Sequence, residues 1–375
     1  MCHQHSQPQF PTPMHSTILR RDHIHGVLAG VAVGDALGGP RVGLKASAAR
    51  RMYGPPAIRF ASMAGGCYSS DTHLMLMTAQ ALLNSRSDLK TFRRAFRGRL
   101  KWYLLSFPYA PPSTITSAAK CWLAIFGLRT SSSVDNNQAG PTAIFSTLAM
   151  NRTGHRLDKW VSDTTQILSS NPAVIDGCRV LCSLTDFAGG AKGEDFDPNE
   201  VLQLAIDASE HQPQTEMLEK LVEPLRAGEA PGKVAAELGW SGGISSSMTP
   251  TVTMSAYCWL RSPSSFEGAV LPAIGLGGDT TSVGAITGGL VGAFAGFDAI
   301  PNGLYQRLGG IPHGPEWIDA LAERFSRWPH GEHDLHIAPA QSSDPPMQLL
   351  RNVFTIGRIG LNRLGRIPRR VKPGS

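Results

Sequence analysis

Two stretches of this chain, more than 200 positions apart, place an acid and hydroxyls at the head of an apolar run. Ser69-Ser70-Asp71-Thr72 leads into His73 to Leu83, and Gly277-Gly278-Asp279-Thr280 leads into Thr281 to Phe297. Carboxylates and hydroxyls drawn from separate segments are the ligands that a hard cation such as Mg²⁺ takes. If the two helix starts meet in space, a metal-assisted reaction could run between them. The plainer reading is that Asp71 and Asp279 are N-caps, which any helix start favours. Asp35 has the same two readings, a site residue or a bond to its own turn.

The elements that would position these residues read as helices. Gly26, Gly30 and Gly34 stripe a helix predicted from Asp22 to Leu37, and Gly284, Gly288, Gly292 and Gly296 stripe a second from Ser282 to Phe297. Such stripes let two helices approach closely, so the pair is expected to pack together inside the core. A membrane span is the competing reading of residues 280–297, but the run only just reaches the necessary length and is rich in Gly, Ala and Thr. Between the pair, punctuation predicts helices at 72–85, 89–107, 113–126, 143–150, 173–189, 198–211, 215–227, 233–238, 251–261 and 265–274. Alternating β patterns are scarce, and an all-α fold, a single compact helical bundle, follows.

The chain has 375 residues, 42% hydrophobic and 17% charged, with 40 Gly and 27 Pro, a globular composition with well-punctuated loops. The formal net charge of +6 would suggest a nucleic-acid partner were it spread over the surface. Instead Arg351, Arg358, Arg363, Arg366, Arg369, Arg370 and Lys372 crowd the end, no aromatic array accompanies them, and no specific nucleic acid is expected. This basic C-terminal tail, 349–375, is read first as a strap on the body or a partner chain and alternatively as a contact for an anionic surface. Residues 329–348 read as a linker, 21–328 as the folded domain and 1–20 as a disordered polar tail. The scattered cysteines fit free thiols in a reducing cytoplasm. Ser245, Ser246 and Ser247 have no His or acid in a nucleophilic frame and read as loop.

Three segments together resemble a known family. Gly30-Val-Ala-Val-Gly34-Asp35-Ala36-Leu37-Gly38-Gly39-Pro40, Tyr68-Ser69-Ser70-Asp71-Thr72 and Gly277-Gly278-Asp279-Thr280-Thr281-Ser282 match, in order and separation, the ADP-ribosylglycohydrolase family, which includes the dinitrogenase-reductase-activating glycohydrolases. The resemblance runs from about Ile24 to Leu308. It implies an all-α bundle holding two Mg²⁺ at one mouth, where ADP-ribose and a water are positioned for cleavage of an N- or O-glycosidic bond. Ser69, Asp71, Asp279 and Ser282 keep metal-ligand positions, and Asp71 and Asp279 are the best catalytic candidates. Asp35, Gly140, Ser169 and Gly278 fall at substrate-binding positions.

The chain departs from the family pattern at five places. Ser70 and Thr281 stand where aspartates are expected, and Val42 stands where a glutamate is. Gly140-Pro141-Thr142-Ala143 takes the place of a Gly-Asn-Gly-Ala ligand loop, and Ser169 that of a histidine. Two carboxylates offset only half the charge of two dications, so one Mg²⁺ or none is expected. The expected function is binding of ADP-ribose or an ADP-ribosylated substrate, with glycosidic hydrolysis weakened or lost. The alternative is a non-catalytic scaffold that uses the bundle and the basic tail. An intact hydrolase with relocated ligands would need Glu237, Glu267 or Asp298 at the mouth.

Overall fold

Gly26, Gly30, Gly34 and Gly38 lie on one face of α1 (Pro13–Gly38), and a Cβ added at any of them would overlap backbone of the partner helix. The computed structural model in which this is seen describes residues 13–62, 65–85, 88–103, 118–121, 135–150, 157–190, 196–309 and 313–327. The partner is the second striped helix, Thr280–Ala295, running antiparallel: Gly26 faces Gly292, Gly30 faces Gly288, Gly34 faces Gly284 and Gly38 faces Thr280. Missing side chains on both faces let the two backbones touch, and the whole seam is buried. The register also places the C-terminal end of α1, with Asp35, beside the N-terminal end of the partner, with Asp279. Thr280 Oγ1 fastens that end by donating to Gly38 O at 2.8 Å.

Around this pair the chain is helical almost throughout. After α1 come α2 (Ala46–Tyr53), α3 (Ser70–Ser85), α4 (Leu89–Trp102), α5 (Ala139–Met150), α6 (Leu157–Leu168) and α7 (Pro172–Gly190). Then follow α8 (Pro198–Ala208), α9 (Gln212–Glu219), α10 (Val222–Arg226), α11 (Pro231–Glu237), α12 (Met248–Arg261), α13 (Phe266–Gly275), α14 (Thr280–Ala295), α15 (Asn302–Tyr305) and α16 (Pro315–Arg327). The expected all-α bundle is what forms. The one small sheet among the described residues pairs β1 (Leu44–Lys45) with β2 (Gly277–Gly278), antiparallel, and Ile244 bridges to Gly278 on the other side.

Several boundaries differ from the expectation for definite reasons. Helix α1 begins at Pro13 rather than Asp22, so only residues 1–12 of the expected N-terminal tail fall outside the described residues, as do the expected linker and basic tail. The helix expected over 215–227 is split into α9 and α10. Pro224 lacks an N–H and its ring opposes the carbonyl four residues back at Lys220, which is where the break falls. Four helices, α2, α6, α15 and α16, lay outside the expected set. In α6 the buried positions Trp160, Val161, Thr164, Thr165 and Leu168 follow a helical period carried partly by threonines. In α16 Ile318, Leu321, Ala322 and Phe325 form a complete apolar stripe, and α1 packs beside it through His25 Nε2 and Asp319 Oδ1 at 2.8 Å. No helix among the described residues is long and apolar enough to cross a membrane. Cys121, Cys178 and Cys258 are free thiols, and burial pushes Cys178 and Cys258 up to about 12.

Candidate functional site

The antiparallel glycine seam brings the starts of α3 and α14 together, as the two acid-bearing segments require. Asp35, at the end of α1, is the first link. Its Oδ2 accepts from Ser69 N (2.8 Å), Thr72 N (3.2 Å) and Thr72 Oγ1 (2.7 Å), so a side chain from another helix satisfies the free amides at the head of α3. The backbone that Asp35 binds is that of the α3 head rather than its own turn. Its Oδ1 is buried without a partner. Full burial raises the Asp35 carboxyl to about 6, against the lowering effect of its bonds to Thr72 and Ser69.

Asp71 and Asp279 face each other through one serine. Ser282 Oγ donates to Asp71 Oδ1 at 2.9 Å, while Ser282 N donates to Asp279 Oδ1 at 3.3 Å. Ser69 Oγ donates to Asp71 Oδ2 at 2.9 Å, and Thr281 Oγ1 donates to Asp279 Oδ1 at 2.9 Å. Asn137 Nδ2 closes the set, reaching Asp279 Oδ2 at 3.0 Å and Thr251 Oγ1 at 3.1 Å. All four carboxylate oxygens thus accept from donors of the chain itself. Burial, then repulsion from Asp35 and Asp279, raises the Asp71 carboxyl well above the usual range.

Asp279 is also the N-cap of α14, and the two glycines before it make that possible. Gly277 and Gly278 have φ of 77° and 74°, and a Cβ on Gly278 would collide with Ile244 backbone. This tight passage lets Asp279 N donate to Ile244 O at 2.7 Å and delivers the carboxylate to the mouth. Gly43 N donates to Gly278 O at 2.8 Å, which puts Val42 on the rim, 49% exposed. The position where the family pattern calls for a glutamate is therefore at the mouth and carries an isopropyl group.

Ser69, Asp71, Asp279 and Ser282 are brought together, with Gly278 beside them. Gly140 and Ser169 are not. Gly140 is one turn too far along α5: its Cα faces the Ile286 and Leu181 side chains, so the Gly140–Ala143 stretch is bundle packing rather than a ligand loop. What borders Asp279 instead is the preceding run Asp135-Asn136-Asn137-Gln138. Beyond the Asn137 contacts, Gln138 Nε2 donates to Ser70 Oγ, and Asp135 Oδ1 accepts Met248 N at 3.1 Å to cap α12. Ser169, fully buried, holds the turn before α7 by accepting Asn171 N at 3.1 Å. Glu237, Glu267 and Asp298 are exposed, and Glu237 lies 3.6 Å from Lys233, so the relocated-ligand reading has no support from them.

Sequence reasoning missed Asn137, Gln138 and Thr251. Asn136-Asn137-Gln138-Ala139 does carry the Asn and the Ala of a Gly-Asn-Gly-Ala stretch, and four polar side chains ahead of an apolar helix were a usable signal. The residues at the mouth are hard oxygen donors of the kind Mg²⁺ takes. Two carboxylates and two hydroxyls, Asp71, Asp279, Ser69 and Ser282, suit one ion. Among the described residues no three His, Cys, Asp or Glu side chains converge as a metal-holding cluster.

The bundle and its acidic, hydroxyl-rich mouth define a helical protein of the ADP-ribosylglycohydrolase type. The ADP-ribosylglycohydrolase family profile matches residues 16–334, and the chain belongs to that family. Among solved structures it is similar to an ADP-ribosylglycohydrolase-related protein complex, with 21% identity and a TM-score of 0.61, covering 82% of this chain and 98% of that one. At that identity the likeness speaks for the fold. No curated protein matches the chain at a significant level.

Proposed function

We propose that the mouth between α3, α14 and residues 135–138 receives an ADP-ribose-type ligand, holds one Mg²⁺ at most, and has weakened or lost hydrolysis of the ADP-ribosyl bond. The observation that carries this reading is the saturation of Asp71 and Asp279 by the chain's own donors. Thr281, which stands where an aspartate is expected, spends its hydroxyl on Asp279. Ser70, in the other such position, takes the Gln138 amide. Hydroxyls and amides thus do the work of holding the mouth together that charge neutralisation by two ions would otherwise do.

Each residue then has a definite part. Asn137, Thr281 and the first amides of α14 fix the orientation of Asp279. Ser282 keeps Asp71 and Asp279 at a set distance, and burial, then repulsion from Asp35 and Asp279, favours the protonated form of the Asp71 carboxyl. Ser69, Asp71, Asp279 and Ser282 would hold the single cation. When bound, it would supply the positive charge that orients ribose hydroxyls and polarises a water. The non-catalytic scaffold is the second reading, favoured by the same saturation of the acids.

Calorimetric titration of ADP-ribose, with Mg²⁺ and again with a chelator, tests the proposal. Binding that strengthens with Mg²⁺ and loses that dependence in Asp71→Ala supports it. Binding indifferent to Mg²⁺ removes the cation from the account, and absence of binding in both conditions leaves the scaffold.

A further inference from the structure

A cavity of about 260 Å³ lies behind the rim, between the turn that follows α1, the loop after α2 and the end of α13. None of Asp35, Asp71, Asp279 or Asn137 lines it. Pro40, Phe60 and Ile274 are among its lining residues, and Tyr53 adds a second ring. Two guanidiniums are set into those walls, Arg41 from the inside and Arg59 from the exposed side.

Arg41 is the anomalous group. It is 7% exposed, and its one hydrogen bond within the described residues runs from Nη2 to Gly54 O at 3.0 Å. Neither Arg41 nor Arg59 forms an ion pair among the described residues. Arginine cannot shed its charge in a protein, so a guanidinium withdrawn from water without a counter-ion is costly. Burial accordingly lowers the Arg41 pKa. An anion in the cavity would offset that cost, and the planar fork of N–H donors left over on Arg41 matches an oxyanion.

We propose that this cavity is a binding site for a small phosphate monoester with a flat apolar body, separate from the acidic mouth. Two guanidinium charges match the two charges of a phosphate monoester better than the single charge of a carboxylate. The rings of Tyr53 and Phe60 accept the body. A salt-sensitive contribution comes from Arg59, which is exposed, and the fixed geometry comes from Arg41.

Phenyl phosphate, inorganic phosphate and benzoate, each titrated calorimetrically into the full chain, provide the test. Phenyl phosphate is expected to bind one per chain and at least tenfold more tightly than either of the others. Arg59→Gln, at an exposed position that folding does not need, is expected to weaken it tenfold or more, and Arg41→Gln to abolish it, with the circular dichroism of each variant checked. Asp71→Asn is expected to leave the affinity unchanged, which separates this site from the mouth. Absence of binding, equal affinity for benzoate, an affinity unmoved by Arg59→Gln, or loss of binding in Asp71→Asn would each overturn the proposal.

Discussion

Replacing Asp35 with asparagine should flatten part of the pH dependence of folding stability. Asparagine keeps the oxygen that Ser69 N, Thr72 N and Thr72 Oγ1 need, and removes the ionisation. In the unfolded chain the carboxyl titrates near 3.8, and in the folded chain burial holds its proton to about 6. Between those values the folded state binds more protons than the unfolded state, so stability is full below the lower value and is lost as pH rises toward the upper one. At about 1.4 kcal/mol for each tenfold change in acidity, the loss amounts to about 3 kcal/mol. Asp71 contributes in the same direction in both proteins, except for the share of its shift that Asp35 causes. Urea midpoints measured in chelator at pH 4 and pH 7.5 give the comparison. The wild type should lose about 2 kcal/mol more than Asp35→Asn over that interval, since pH 4 already lies just above the lower value. Parallel curves for the two proteins would refute the claim that this buried acid is strained toward its neutral form.

Three further outcomes follow from the packing and the mouth. Gly30→Ala should cost about 3 kcal/mol or more in urea unfolding, because the new methyl meets Gly288 backbone, whereas Gly98→Ala, in open space on α4, should gain up to about 1 kcal/mol. Asp279→Ala should lose about 1 kcal/mol as the cap of α14 goes, and Asp279→Asn should recover most of it in the same assay. Val42→Glu, Ser70→Asp and Thr281→Asp combined should raise Mg²⁺ affinity at least tenfold by calorimetry. No gain would mean those positions do not converge on one ion.

How much of this was legible in the sequence depended on how local the signal was. The glycine stripes named both helices and their partnership, because a backbone-to-backbone seam tolerates nothing else at four-residue spacing. Their antiparallel register then explains why segments 200 residues apart share a mouth. Asp71 and Asp279 were readable as acids at two helix starts, and Ser69 and Ser282 joined them through the resemblance to the family pattern. The 135–138 run was not, since an irregular polar segment has no period and its bonds to Asp279, Thr251 and Ser70 are all long-range. The attraction of Gly140 as a ligand-loop residue came from its type, whereas its place on the buried face of α5 is set by Ile286 and Leu181 from other helices. Asp35 could be read as a site residue or a turn residue, and only the tertiary fold shows it capping α3 from outside. Arg41 gave no signal at all, because nothing local tells a buried guanidinium from an exposed one.

The central claim is that the chain's own hydroxyls and amides have replaced a second ion at the mouth. Counting Mn²⁺ by electron paramagnetic resonance, as a stand-in for Mg²⁺, tests it most directly. The account predicts no more than one ion per chain, weakly held, and none in Asp71→Asn. Two tightly held ions per chain would contradict it.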